Sequence, residues 1–493
     1  PKDSPIKELS KCDFDRMKKH LTHERETTKL IRKTDKDVRA REKKEKDLLQ
    51  EIYGYALVDG YKEKVGNFRV EPPNLFRGRG DHPKTGTLKR RVRPEDIIIN
   101  IGTGVPIPKP PMGHKWKGII HNNRVTWLAF YRDNVNGDFK YIWLAPSSRF
   151  KGESDIKKYT KAQKLKKYIG DIRKNYTREM ASEHSQFRQR ATAIYLIDFL
   201  ALRVGNEKDA SEVADTVGCC SLRVEHLTFT PPRTVTFDFL GKDSMRYHNT
   251  VELDERAYKN LESFTKGKKP KEEIFDSLNT TLLNEHLKSL MPDLTAKVFR
   301  TYNASVTLEK ELRNPERDIS PSEHVAAKVA FYNAANREVA ILCNHQRSIP
   351  KGHEAAVSKL RDQIDALHDD REELEDWIEE MSSKKSNKTD KAARAEREEA
   401  RMARRQTRIE KARSEAKAKA ELKKAEKAKL RAAGKAVESD SEEDDDFGVK
   451  EKPKAKPADL KKAEAALQKL KERIVNYEAR LSLRDANKEV ALG

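Results

Sequence analysis

The stretch Thr192 to Lys208, TAIYLIDFLALRVGNEK, limits what this chain can fold into more than any other. Ile194, Ile197, Ala201 and Val204 recur at helical spacing, and the stretch is apolar almost all round. Such a helix belongs inside a globular body. Gly205-Asn206 is a stop signal, so Arg203 is expected in the last helical turn. A guanidinium stays charged, and there it needs a carboxylate, an anionic ligand, or a route out to solvent at the helix end.

Around this stretch the texture of the chain changes repeatedly. Residues 1 to about 50 are rich in lysine and glutamate and read as exposed helices with solvated charges. From Tyr53 the sequence turns globular. Asn74 to Arg91, NLFRGRGDHPKTGTLKRR, sets glycines among basic residues, as a loop that approaches phosphates would, or as an ordinary solvated basic loop. Asp96 to Asn100 reads as a strand. Val125–Tyr131 and Tyr141–Ala145 form a hairpin signal through Asn136-Gly137. Trp116, Trp127 and Trp143 are expected in the core rather than as base-stacking platforms. Lys157 to Tyr176 is basic and helical in texture.

Beyond the organising stretch, Val235, Phe237 and Phe239 alternate with polar residues in a strand from Thr234 to Leu240. A tight turn at Gly241-Lys242-Asp243 leads into a second strand, Met245 to Leu253, and puts a lysine at the hairpin tip. Helices are expected over Leu282–Leu290, Leu294–Tyr302 and His324–Cys343, the last running into Asn344-His345-Gln346-Arg347 before Pro350.

Past Lys351, apolar residues hold a heptad pattern from Val357 to Met381 and again from Leu460 to Leu481. Between them lie a Lys/Arg/Ala tract, the acidic SDSEEDDDFG at Ser439 to Gly448, and a proline-bearing run. Two long helices folding back as an antiparallel coiled coil, with a disordered basic and acidic tip over about 384–458, is the simplest reading. A self-associating parallel coil is the alternative. The acidic serines suit an acid-directed kinase, and the basic tract can lie along DNA.

A net charge of +21 over 493 residues predicts a polyanionic partner. No apolar run approaches the roughly 20 residues that cross a bilayer, and no signal peptide opens the chain, so nucleic acid is favoured over a membrane. Cys12, Cys219, Cys220 and Cys343 lack zinc-site spacing, and no histidine pattern marks a metal. No phosphate-binding G-x-x-x-x-G-K-[ST] motif is present. No metal and no cofactor are expected.

Arg203, Lys242, Arg300 and His345 each end or interrupt a predicted element. Two guanidiniums and an imidazole can hydrogen-bond the oxygens of a phosphodiester as it becomes pentavalent. A lysine at a loop tip can protonate a leaving 5′ oxygen. In a chain this basic, many such foursomes exist, so spacing alone is weak.

Longer stretches carry a resemblance. EPPNLFRGRGDHPKTGTLKRR at Glu71, PEDIIIN at Pro94, KYIWLAPSSR at Lys140, LALRVGNEK at Leu200, ADTVGCCSLRVEH at Ala214, FDFLGKDS at Phe237, LTAKVFRTYNAS at Leu294 and NREVAILCNHQR at Asn336 resemble the eukaryotic nuclear type IB DNA topoisomerases. The resemblance implies an α+β fold: a monomeric clamp around duplex DNA, with a mixed cap half over 1–148. It also implies a mainly helical, tyrosine-recombinase-like catalytic half over 149–348, and a coiled-coil linker over 349–486. It assigns Arg203, Arg300 and His345 to transition-state phosphate binding and Lys242 to general acid. Arg77, Arg79, Asn206, Lys242 and Asp243 fall where the family contacts DNA; Phe76, Arg79, Asn206 and Asp243 match the neighbourhood of camptothecin-type drugs. Lys84 and Glu212 match the opposed lips that close the clamp. The location implied is the nucleus.

One departure accompanies the match. The family's nucleophilic tyrosine lies in a segment like SKLNY, a few residues after ALG, and this chain ends at Ala491-Leu492-Gly493, with 487–493 only starting a further domain. The expectation is a fragment, or else a tyrosine carried on a separate C-terminal polypeptide. Tyr477 sits at an inward heptad position and is read as coiled-coil core. Rival readings are a tyrosine recombinase, which Lys297 in place of a histidine before Arg300 disfavours, and a non-catalytic DNA clamp.

Overall fold

The computed structural model describes residues 12–206, 208, 211–314, 320, 325–345, 352–382, 388–432 and 459–492. The chain forms two compact units, Pro1–Tyr53 with Arg361–Ile474, and Gly54–Leu360 with Val475–Gly493. Helices and several small sheets coexist in an α+β fold. Among the described residues no helix is long and apolar enough to cross a membrane.

The first unit begins with α1 (Asp15–Thr34) and α2 (Lys36–Tyr53). Their charged faces are solvated, as expected, and Arg32 reaches Glu42 across the pair at 2.8 Å.

In the second unit, β1 (Tyr55–Val58) pairs antiparallel with β2 (Tyr61–Lys64). The short pair β3 (Asn74–Leu75) and β4 (Leu88–Lys89) closes the base of the glycine-rich basic loop. A four-stranded sheet follows in the order β6-β5-β7-β8, built from β5 (Ile97–Asn100), β6 (Gly118–Ile120), β7 (Trp127–Arg132) and β8 (Phe139–Trp143). Asn136-Gly137 lies in the turn between β7 and β8, with Gly137 at φ +74°. The tryptophans depart from the core expectation. Trp143 is 46% exposed, and Trp116 and Trp127 are only half-buried. Period-2 alternation explains this: Phe139, Tyr141 and Trp143 share one face of β8 and cluster with Trp127 and Phe130 on a partly open sheet surface.

Two helices come next, α3 (Arg149–Glu179) and α4 (Ser185–Phe199). Ser148 caps the first by accepting from the Lys151 amide. Ala191, Ile194, Leu196 and Ile197 of α4 are buried, as an all-round apolar helix must be. They pack in one core with Leu165 and Ile172 of α3. A three-stranded antiparallel sheet in the order β11-β10-β9 adds its inner face to that core. It comprises β9 (Leu227–Thr230), β10 (Thr234–Leu240) and β11 (Arg246–Glu252); Val235, Phe237 and Phe239 point inward in the predicted alternation. Then come α5 (Glu255–Thr265), α6 (Thr280–Leu290), α7 (Ala296–Leu312) and α8 (Val325–Leu342). Phe299 of α7 is fully buried in the same core.

The C-terminal helices are α9 (His353–Ser382), α10 (Lys388–Ala432) and α11 (Leu460–Leu492). Heptad positions Ile364 and Leu367 on α9, and Ala463, Leu470 and Ile474 on α11, are buried, and Lys471 pairs with Glu375 at 3.3 Å. The basic tract differs from expectation: residues 388–432 are one helix, not a disordered tip. Ala, Arg, Lys and Glu dominate it, and these are among the strongest helix formers. Its arginines also have specific partners on α9, described below. The acidic SDSEEDDDFG run lies outside the described residues.

Candidate active site

Arg203 is not in a helical turn. α4 stops at Phe199, Leu200 is its C-cap, and Ala201 turns the backbone to φ +49°. From there the chain runs extended against Gly218–Cys220: the Cys219 amide donates to the Arg203 carbonyl at 2.8 Å and the Cys220 amide to Val204 at 2.7 Å. The two backbones meet at Gly205 and Gly218, where a Cβ on either would come within 2.5 Å of the other's Cα. Only glycine permits that approach. Helix periodicity misplaced Arg203 because tertiary pairing, with no local sequence signal, outcompetes the last turn. Its side chain is exposed into a cleft rather than buried against a carboxylate.

Lys242 occupies the tip of the β10–β11 hairpin. The Gly241 amide donates to the Met245 carbonyl at 2.8 Å, and Asp243 and Ser244 both take positive φ to close the turn. Below the tip, Arg246 grips Asp238 across the strands through two bonds at 2.8 and 2.6 Å. That guanidinium holds the Asp238 carboxyl below the ordinary carboxylate range.

Arg300 projects from α7 and is half-buried. Its Nη1 donates to the Ala201 carbonyl at 2.9 Å, and its Nη2 donates to the Cys343 carbonyl. Burial lowers its pKa from the ordinary arginine value; the charge of Arg203 adds to that, while Cys343 opposes it. A guanidinium starts so high that it remains cationic. Among the described residues, neither Arg203, Lys242 nor Arg300 pairs with a carboxylate.

His345 follows α8. Asn344 takes the left-handed conformation at φ +48°, the usual device for ending a helix, and the His345 amide donates back to the Ala340 carbonyl at 2.8 Å. The Asn344 side-chain amide donates to the Arg246 carbonyl at 3.1 Å, tying the histidine segment to the hairpin that carries Lys242. Gln346, Arg347 and Pro350 lie outside the described residues.

The four predicted residues thus come together: Arg203, Lys242, Arg300 and His345 line one cleft of about 340 Å³, with Tyr247, Met245 and Phe239 forming its floor. Tyr247, Asn344 and the carbonyls of Ala201 and Cys343 were missed by the sequence reading. Asn344 alone had a signal, as an asparagine just after a helix; backbone carbonyls have none.

Of the expected DNA-contacting residues, Lys242 and Asp243 line this cleft. Asp243 forms an ion pair with Arg79 from the basic loop. From the same loop, Lys84 pairs with Glu212. Phe76 is half-buried edge-on to His82 at 4.9 Å, with its backbone fixed by Thr87 and Gly86. Arg77 and Asn206 are exposed. Cys219 and Cys220 are buried, and burial pushes the Cys220 thiol up to about 12, so they are packing residues. Among the described residues, no group of three or more His, Cys, Asp or Glu gathers as a metal centre.

Comparison with known proteins adds to this geometry. The family described as eukaryotic DNA topoisomerase I, catalytic core, matches residues 147–378, and its DNA binding fragment matches residues 1–144. DNA topoisomerase 1 of Homo sapiens is 50% identical over 385 residues, covering 77% of this chain and 49% of the human protein. The Caenorhabditis elegans protein of the same name is 52% identical over 371 residues, covering 73% of this chain and 45% of its own length. For Schizosaccharomyces pombe the figures are 53% over 363 residues, 73% and 47%. The chain therefore spans about half the length of these relatives.

Proposed function

The chain belongs to the eukaryotic DNA topoisomerase I family, and from that premise we propose that it is the body of a type IB topoisomerase, acting on duplex DNA in the nucleus. The observation that carries the proposal is the convergence of Arg203, Lys242, Arg300 and His345 on one cleft.

The chemistry follows from the kinds of group present. A tyrosine oxygen presented to the cleft, its proton released to solvent water, attacks the scissile phosphorus. The P–O5′ bond breaks, a 3′-phosphotyrosine forms, and Lys242 gives its proton to the departing 5′ oxygen. Arg203, Arg300 and His345 donate to the non-bridging oxygens as negative charge builds in the pentavalent state. Arg300 is held by carbonyls, not carboxylates, so its positive charge is aimed without being cancelled. The phosphodiester's energy is conserved in the phosphotyrosine, so the free 5′ hydroxyl can reverse the step after the duplex has rotated. The ion pairs Arg79–Asp243 and Lys84–Glu212 fit a clamp that closes around DNA, with the basic loop as one lip. The same Arg79–Asp243 pair, with Phe76 and Asn206, forms the proposed drug neighbourhood. α9 and α11 serve as the coiled-coil linker.

The test is plasmid relaxation in EDTA without ATP, with the chain mixed with a segment carrying the SKLNY-like tyrosine. Relaxed topoisomers are expected. Supercoils left intact by a mixture that binds duplex would support a non-catalytic clamp instead.

A further inference from the structure

α10 carries more basic residues than any other described helix, yet its arginines from Arg394 to Arg408 are already engaged. They face the carboxylates of α9 in antiparallel register. Arg397 and Arg401 both bind Asp376, at 2.8 and 2.5 Å. Arg404 and Arg408 take the two oxygens of Asp369, at 2.7 and 2.6 Å. Arg405 reaches Glu373 at 2.7 Å, and Lys411 reaches Asp362 at 2.7 Å. The basic positions 397, 401, 404, 408 and 411 step by four and three, one stripe along the helix. Unlike an ordinary solvated charge run, this ladder has buried members: Asp369 and Arg401.

We infer that α10 is a latent second duplex-binding surface, masked by the acidic face of α9. Two rows of carboxylates along α9 offer the arginines what a DNA backbone offers, a line of anionic oxygens spaced to accept guanidinium bonds. Carboxylates and phosphates therefore compete for one stripe. A duplex carries a denser charge and gains from counterion release, an advantage that fades as salt rises. At low ionic strength the stripe transfers to DNA, and at high ionic strength α10 remains on α9. The inference rests on the duplex reading above but not on any cleavage step.

The experiment is a salt titration of duplex affinity on the full chain, with tryptic cleavage within α10 followed in parallel. Four proteins are compared: the parent, Asp369→Asn with Asp376→Asn, Arg397→Gln with Arg401→Gln, Arg404→Gln and Arg408→Gln, and the combination. Removing the α9 carboxylates should speed cleavage in α10 and, over the higher-salt range where the parent keeps α10 on α9, steepen the log–log salt slope by about 0.9 for each arginine transferred. DNA should restore protease protection. In the arginine-neutral background the same α9 changes should leave the slope unaltered, which separates transfer from a general loss of negative charge.

A slope that does not steepen in the carboxylate variant, or steepens equally in both backgrounds, would overturn the inference and make α10 a strut. A parent that binds no duplex at any salt would instead refute the duplex reading, and with it the ligand assigned to α10. Circular dichroism guards against mere unfolding. A carboxylate variant that loses α10 helicity and fails to regain it on DNA also counts against transfer.

Discussion

The cleft and the α9–α10 pair both depend on arginine, and they use it in opposite ways. In the cleft, Arg300 is fixed by the neutral carbonyls of Ala201 and Cys343. Its direction is set and its charge is left intact. On α10, Arg401, Arg404 and Arg408 end on Asp376 and Asp369, so their charges are partly offset inside the molecule. A cation held by dipoles is prepared for an outside anion, whereas a cation held by carboxylates is either structural or in reserve. Net charge cannot tell the two apart; the partner can.

The first way to break this contrast is to remove the proposed acid. Lys242→Ala should slow cleavage by about a hundredfold or more, the ordinary range for a positioned proton donor. The loss should disappear on a substrate whose leaving 5′ oxygen is replaced by sulfur, which departs without a proton. A loss equal on both substrates would make Lys242 a binding residue only.

Arg300→Gln comes next. It removes the charge and leaves one planar amide where two carbonyls were served, so cleavage should fall by about a hundredfold, as for loss of one transition-state donor. Unfolding free energy should also fall by about 1–3 kcal/mol from the unsatisfied carbonyl. If Arg300→Gln cleaves normally, carbonyl-held cations are not what the site depends on.

Asn344 offers a sharper and smaller test, since it has two separable properties. Asn344→Gly keeps the left-handed turn and loses the bond to the Arg246 carbonyl; Asn344→Ala loses both. The glycine variant should lose about tenfold in cleavage, the equivalent of one modest hydrogen bond at about 1.4 kcal/mol. The alanine variant should lose about 1–2 kcal/mol of stability besides. A glycine variant that cleaves at the parent rate would show that the amide contributes nothing beyond the turn.

The smallest effect concerns a carboxylate with a purely structural part. Lys268 first, then Gln189 and Ser277, hold the Asp276 carboxyl down to about 2 from an ordinary 3.8. A depressed carboxyl stabilises the fold above its unfolded pKa, and that contribution is lost as pH falls through the folded value. The melting temperature of the parent should therefore drop more steeply between pH 4 and pH 2 than that of Asp276→Asn. Parallel curves would contradict it.

Much of the cleft was legible in the sequence because it sits at element ends that local patterns mark. Alternation in Val235, Phe237 and Phe239 placed β10, the Gly-Lys-Asp turn placed Lys242, and the apolar periodicity of α8 placed its end just before His345. What failed had a tertiary cause. Arg203 was drawn into a helix because nothing local announces that Gly205 and Gly218 will meet. The tryptophans were drawn into the core because an aromatic cluster shared across a sheet surface looks, in sequence, like a buried one. The basic tract was read as disordered because its partner carboxylates lie on another helix. Assignment of the cleft residues to phosphate chemistry came from the resemblance, since in so basic a chain spacing alone could not select them.

The most direct measurement takes Arg203→Ala and follows two quantities in one preparation supplied with the tyrosine segment: duplex affinity, and the rate of covalent 3′-adduct formation trapped by denaturation. The account predicts affinity changed by no more than about threefold, one phosphate contact among many. It predicts adduct formation slower by about a hundredfold or more, because the guanidinium acts where charge develops. Adduct formation at the parent rate, or a rate loss fully explained by weaker binding, would contradict it.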